Sequence, residues 1–531
     1  MTEANYGAVV VGAGFAGLRM LWQLRQLGLT AVAFERGDDI GGTWYWNCYP
    51  GARCDVESLQ YSYGFSETIQ QEWDWSERFA TQPEILNYIN HVADKLDLRR
   101  DVRLATTVTA ATYDRDRCLW TVQTDRGGTV QARFFILATG CLSSATIPKL
   151  PNLEHFEGPI YHTGTWPRDT VDFSGKRVGV IGTGSSGVQC IPPIAEQAEH
   201  LTVFQRTPHF SVPARNRPLT AEEVRHCKAN YAELREQAHN TQSGVIHRQG
   251  QHSIHEVSDE ARKAEFEARW LHGGTGFTLA FQDLMTSEEN NAYAAEFVRA
   301  KIREIVRDRD TAERLVPKGY PLGAKRLVLH SGYYETFNRP NVSLVDLRND
   351  PIKFLEASGV RTRAGLHQLD CLVFATGFDA MTGSILKIDI QGAAGLSLRE
   401  KWAAGPRTYL GLMTSGFPNM FMITGPGSPS VKSNMVLSIE QHVEWLGDML
   451  STMIAHNRDE VYAEPRSESE WVAHVNAEAE GTLFANAASW YNGSNIPGKP
   501  RVFMPYVGGV KKYRQICSEV ARNDYRGLRF R

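Results

Sequence analysis

Glycines dominate the residues whose types and spacing could do chemistry. Gly12-Ala13-Gly14-Phe15-Ala16-Gly17 stands near the N-terminus, and Gly182-Thr183-Gly184-Ser185-Ser186-Gly187 repeats the spacing further along. In such a turn the first glycine permits the tight bend, and the second lets a pyrophosphate approach the backbone. The third lets the helix close onto the strand. Free N–H groups at the helix start then face the phosphates. The residue that ends the next strand reads the ribose. After the first motif it is Glu35, a carboxylate that accepts from ribose hydroxyls and repels a 2′-phosphate. After the second it is Arg206, whose guanidinium pairs with a 2′-phosphate through two bonds. The first site therefore predicts FAD or NAD, and the second predicts NADPH. Two such sites in one chain can pass a hydride from one cofactor to the other.

These residues need strands and helices to hold them. Ala8-Val9-Val10-Val11 reads as a buried parallel strand, residues 18–24 carry apolar positions at helical spacing, and Ala31-Val32-Ala33-Phe34 is the next strand. Residues 176–181 and 201–205 repeat this frame around the second motif. Two further strands end in the same tripeptide, Ala138-Thr139-Gly140 and Ala375-Thr376-Gly377, which suggests one such strand per dinucleotide domain. Between about 214 and 322 the chain is rich in Glu, Arg, Lys and Ala. There Ala261, Ala264 and Ala268 fall at helical spacing as a candidate apolar face. The predicted fold is α/β, with two Rossmann-like dinucleotide-binding domains and a helical insertion in the second. Residues 1–155 form the first part of an FAD-binding domain and 156–378 the NADPH-binding domain. Residues 379–531 complete the first.

A chain of 531 residues implies two or three domains. Its net charge of −3 gives no support for nucleic-acid or anionic-membrane partners. No apolar run suits a membrane span, and the first strand begins within a few residues, without a signal core. A cytoplasmic location is the expectation. None of the eight cysteines forms a C-x-x-C pair. Cys48 and Cys54 are six apart, which fits no redox motif, so a disulfide reductase is disfavoured. His239, His247, His252 and His255 cluster. A helical pair at His252 and His255 could bind metal, but a solvated helix face is the preferred reading, and no metal is expected. There is no H-E-x-x-H and no G-x-S-x-G.

Segment 156–167 resembles the F-x-G-x-x-x-H-x-x-x-W-P fingerprint of type I Baeyer–Villiger monooxygenases, with Phe156, Gly158, His162, Trp166 and Pro167 at the fixed positions. The resemblance covers nearly the whole chain, including segments 41–47, 49–55 and 488–491, and is nearest to phenylacetone and steroid monooxygenases. It implies FAD and NADPH as cofactors, with a ketone and O2 as substrates. One oxygen atom is inserted beside the carbonyl through a C4a-peroxyflavin, giving an ester or lactone. A peroxide anion in a dry site needs a fixed cation, and the resemblance assigns that part to Arg326, oriented by Asp55. It adds FAD contacts at Thr43, Trp44, Asp55, Tyr61, Val108 and Met435. NADP contacts fall at Gln189, Thr207 and Lys325 beside the second glycine turn. Trp490 matches a tryptophan on a mobile loop over the nicotinamide ribose, and His162 a linker position that couples domains. Cys48, Cys141 and Lys432 depart from close relatives, which puts the substrate range in doubt. The rivals are a flavin monooxygenase acting at nitrogen or sulfur, and an inactive dinucleotide-binding sensor.

Overall fold

The computed structural model describes residues 4–484 and 487–531. Each glycine turn opens from a parallel strand pair of its own sheet. The first sheet runs in the order Asp389–Gln391, Val108–Asp114, Leu119–Thr124, Thr129–Leu137, Ala4–Val11, Ala31–Phe34, Val102–Arg103. Met420–Met422 also pairs with the C-terminal half of Thr129–Leu137. Strands from both ends of the chain thus share this sheet. The second sheet is all parallel, in the order Val342–Asp346, His200–Gln205, Arg177–Ile181, Cys371–Phe374, Ile160–His162. Fully buried runs such as Val9, Val10, Val178 and Val180 suit strands covered on both faces.

The two Ala-Thr-Gly tripeptides have matching places. A Cβ at Gly12 would press on the carbonyl of Ala138, and one at Gly182 on the carbonyl of Ala375. Each tripeptide strand therefore runs beside a glycine turn. Helix Phe15–Gln26 packs on the long helix Met435–Ala455 through Leu18, Leu21, Leu24, Val443, Leu446 and Leu450, all buried. Each such side chain contributes about 1.5–3 kcal/mol of burial free energy. This contact also fixes the start of Met435–Ala455 near the first glycine turn.

Between the second sheet's strands lies a helical layer of Ala221–Ala229, Tyr231–His239, Asp259–His272, Glu288–Ile305 and Arg309–Leu315. One expectation fails here. In Asp259–His272 the alanines at 261, 264 and 268 are exposed, while Arg262, Phe266, Arg269 and Trp270 are buried. Alanine has too little area to choose a face against Phe and Trp. The two arginines enter the core because Arg262 donates to the carbonyl of Ile254 (3.0 Å) and Arg269 to those of Arg248 (2.6 Å) and Gly276 (3.1 Å). His252 and His255 also differ from expectation. Both are exposed in a turn before Ser258 caps the helix, not on a helix face. Among the described residues no group of three or more His, Cys, Asp or Glu is placed to hold a metal. No helix among them is long and apolar enough to cross a membrane.

Candidate active site

Both glycine turns open on one cavity of about 1420 Å³. That exceeds the roughly 300–1,000 Å³ of a site for one drug-sized ligand, so it has room for two large cofactors. The sequence-predicted residues converge on it. On the first domain's side Gly12, Gly14, Glu35, Thr43, Trp44, Asp55, Tyr61, Val108 and Met435 line its wall. From the second come Gly182, Thr183, Gly184, Ser185, Ser186, Gln189, Arg206, Thr207, Lys325 and Arg326, and Trp490 joins them. Gly17 and Gly187 do not line it. They sit behind, where a Cβ would collide with the carbonyls of Gly12 and Gly182. That is the helix-on-strand contact for which the third glycine is needed.

The backbone fits dinucleotides at both turns. Gly12 (φ +104°) and Gly182 (φ +110°) adopt angles that L side chains rarely take. Each donates its N–H to the neighbouring strand, Gly12 to Phe34 (2.8 Å) and Gly182 to Phe204 (3.1 Å). The helices Phe15–Gln26 and Ser185–Gln197 are capped by Gly14 and Gly184, with no side-chain cap. Their first N–H groups are thus left for an anion. A Cβ on Gly184 would meet only open space. Glu35 is held by the N–H groups of Ala13 (2.9 Å) and Gly37 (2.8 Å), which aim its carboxylate at the first turn. Trp44 donates its indole N–H to the Tyr61 hydroxyl (3.3 Å) on the same wall.

The electrostatics of the second turn favour an extra phosphate. Arg206 and Lys325 face one region, and Arg348 joins them from the loop after Val342–Asp346. None of the three has an ion-pair partner among the described residues. Burial first, then the Arg206 and Arg348 charges, push the Lys325 ammonium below its ordinary value. A ligand anion would relieve that repulsion. Arg348 went unread in the sequence. Its signal is register: Asp346 pairs with Gln205, so the residues just past both strands emerge together.

At the junction of the two domains Arg326 donates to both oxygens of Asp55, from Nε at 2.6 Å and Nη2 at 2.7 Å. Nη1 donates to the carbonyl of Val431 at 2.8 Å. Three of the guanidinium's five N–H donors are engaged by these groups, and the Tyr491 hydroxyl lies against the same guanidinium. The side chains are 30% and 22% accessible, and both line the cavity. Burial alone would raise the Asp55 carboxyl, but the Arg326 charge and hydrogen bonds outweigh it and hold it below the ordinary carboxylate range.

Gln189 lines the cavity with its amide already engaged. It donates to the carbonyl of Arg53 (3.0 Å) and accepts from the Tyr49 hydroxyl (2.8 Å). Sequence reading missed this clamp between the domains. His162 accepts from the N–H of Gly164 (2.9 Å), and burial pushes its imidazole below the ordinary value. Trp166 is buried in the second domain's core, while its N–H donates to the carbonyl of Trp46 in the first (3.3 Å). Trp490 is half-buried, its ring 4.3 Å from that of Tyr491. Its loop is latched by Asn495 to the carbonyl of Phe378 (2.7 Å) and by Lys499 to Asp379 (2.5 Å). All eight cysteines are free, Cys48 and Cys54 included.

Residues 9–323 match the family model described as pyridine nucleotide-disulphide oxidoreductase. A Baeyer–Villiger monooxygenase of Pseudooceanicola batsensis is 42% identical, over 99% of this chain and 96% of its own. A phenazine N-monooxygenase of Lysobacter antibioticus is also 42% identical, over 99% of this chain and 97% of its own. The structure of an oxidized steroid monooxygenase bound to NADP is 52% identical. It covers 99% of each chain, with a TM-score of 0.95.

Proposed function

The chain belongs to the type I Baeyer–Villiger monooxygenase family, and from that premise we propose that it uses FAD and NADPH to insert one oxygen atom of O2 beside a ketone carbonyl. The product is an ester or lactone. The observation that carries the reading is Arg326, fixed by Asp55 and Val431 where the two dinucleotide turns meet in one cavity.

When bound, FAD reduced by NADPH supplies the activated oxygen. The chain's own residues do the rest. The first glycine turn and Glu35 would hold the FAD pyrophosphate and ribose, and Thr43, Trp44, Tyr61, Val108 and Met435 would line its bed. The second turn would hold the NADPH pyrophosphate, and Arg206, Thr207, Lys325 and Arg348 its 2′-phosphate. Arg326 keeps its proton and presents its charge to negative charge that develops on oxygen. Because Asp55 fixes the guanidinium beforehand, little reorganisation is needed during reaction. Trp490 excludes water from one side. The same reading divides the chain into an FAD-binding domain of residues 1–155 and 379–531, and an NADPH-binding domain of 156–378.

The test is NADPH consumption and product mass over arylketones, cyclic ketones and steroids. Purified protein should be yellow and give products 16 mass units heavier than the ketone, a shift of one oxygen atom. Efficiency should fall at least tenfold with NADH, from the loss of charge-assisted bonds to the 2′-phosphate. Equal efficiency with both coenzymes would remove the role given to Arg206. The N-monooxygenase relative favours a second reading, oxygenation at nitrogen. N-oxide from a phenazine with no ester from any ketone would replace the first reading with the second. No NADPH oxidation at all would point to a sensor.

A further inference from the structure

Lys432 is a cation without an anion. Its ammonium lies 3.5 Å from the ring centroid of Phe484 and 5.1 Å from that of Tyr491. No carboxylate and no hydrogen-bond acceptor meets it among the described residues. The side chain is half-buried, and its chain neighbours Val431 and Ser433 line the cavity. The Val431 carbonyl also holds Arg326. Arg326 stands on the cavity wall and Lys432 behind it, with one carboxylate, Asp55, whose two oxygens are both engaged by Arg326.

That arrangement is costly. A buried charge is tolerated when it is paired. Two aromatic faces return only part of that cost, and an apolar side chain would fill the same box without the penalty. Burial first, then the Arg326 charge, push the Lys432 ammonium down to about 7. The Tyr491 phenol is pushed up to about 12, mainly by burial, so it supplies no anion at neutral pH. The missing partner is a negative charge, and the cavity is where a ligand would bring one. The lysine stem is flexible enough to turn from the rings toward it.

We propose that Lys432 is the counter-ion for a carboxylate on the substrate, so that keto carboxylates are preferred over neutral ketones of the same length. The inference rests on the reading of Arg326 as the oxygen-transfer site. A site built around an unpaired polar group discriminates strongly against ligands that leave it unpaired.

The test uses holoenzyme and a series of methyl ketones ending in a carboxylate, with the matching methyl esters as neutral controls. The readout is the ratio of kcat/KM for acid over ester at each length. Wild type should favour the acid at least tenfold at one length or more. Lys432→Met should lose that preference, Lys432→Arg should keep most of it, and FAD content should stay unchanged in both. The wild-type ratio should also fall as pH rises through about 7, because the ammonium is present only below its pKa. The groups facing Lys432 are Arg326 and Tyr491, with Asp55 behind Arg326; none of these changes charge near that pH. Oxygenation of neutral controls with no acid preference, or a ratio that Lys432→Met leaves intact, overturns this inference alone. Absence of ester from every ketone overturns the functional reading and this inference with it.

Discussion

Arg326 matters because its charge is fixed under any working condition. A guanidinium does not lose its proton in proteins, and Asp55, held below the ordinary carboxylate range, does not gain one near neutrality. The sign follows: the pair persists above the ordinary carboxyl pKa of about 3.9 and breaks only as pH falls further. No acid limb from Asp55 should therefore appear in kcat/KM above about pH 5. Arg326→Ala should keep FAD and lower ester formation by about two to three powers of ten, the usual loss for an oxyanion stabiliser. Arg326→Lys should rescue little, because lysine lacks the planar fork that meets both Asp55 oxygens. Normal ester yield from the alanine variant, by product analysis, would remove Arg326 from the chemistry. The sequence offered these two residues as types only. They lie 271 positions apart, and the family resemblance joined them, not their spacing. The third contact was invisible beforehand, because the Val431 carbonyl has no side chain to announce it.

Elements were legible where one physical rule dominated. Apolar runs gave the strands beside both glycine turns, because parallel strands buried on two faces leave little choice of residue. Rules failed where several weak terms competed, as in Asp259–His272, where Phe266 and Trp270 set the buried face against an alanine stripe. The loop around Trp490 is a further case. Gly493 and Gly498 take positive φ, as a turn-rich composition suggests. Composition could not show that Asn495 and Lys499 latch the loop to Phe378 and Asp379. The latch places Trp490 on the cavity wall, and its indole N–H has no acceptor among the described residues, so it is free for a ribose. Trp490→Ala should open that wall to water and raise hydrogen peroxide formed per NADPH oxidised, at unchanged FAD content. Lys499→Ala should shift coupling in the same direction by a smaller amount, because Asn495 still holds the loop. Peroxide assays beside ester yield check both, and unaltered coupling in the Trp490 variant would leave that residue as packing.

At the scale of the whole molecule, the two dinucleotide sites must keep register, since a hydride passes only between atoms in near contact. One bridge between them is a single amide. Gln189 belongs to the second domain's helix Ser185–Gln197, yet both ends of its side chain bond to the first, at Tyr49 and Arg53. Arg53 and Asp55 lie on the same short stretch, so the amide also steadies the segment that orients Arg326. Gly51 closes against the Gln189 backbone, leaving no room there for a side chain. Loss of the amide should therefore loosen the relation between the sites more than either site itself. A misplacement of about 1 Å can cost roughly a hundredfold in rate. Gln189→Ala should lower the anaerobic rate of flavin reduction by NADPH about tenfold or more. FAD content should not change, and NADP+ affinity should change much less than the rate. Tyr49→Phe removes one of the two bonds and should fall between wild type and Gln189→Ala. Stopped-flow reduction beside equilibrium binding of NADP+ separates the effects. A normal reduction rate in Gln189→Ala would show that register is held elsewhere, and a matching loss of affinity would make Gln189 part of the NADPH site alone.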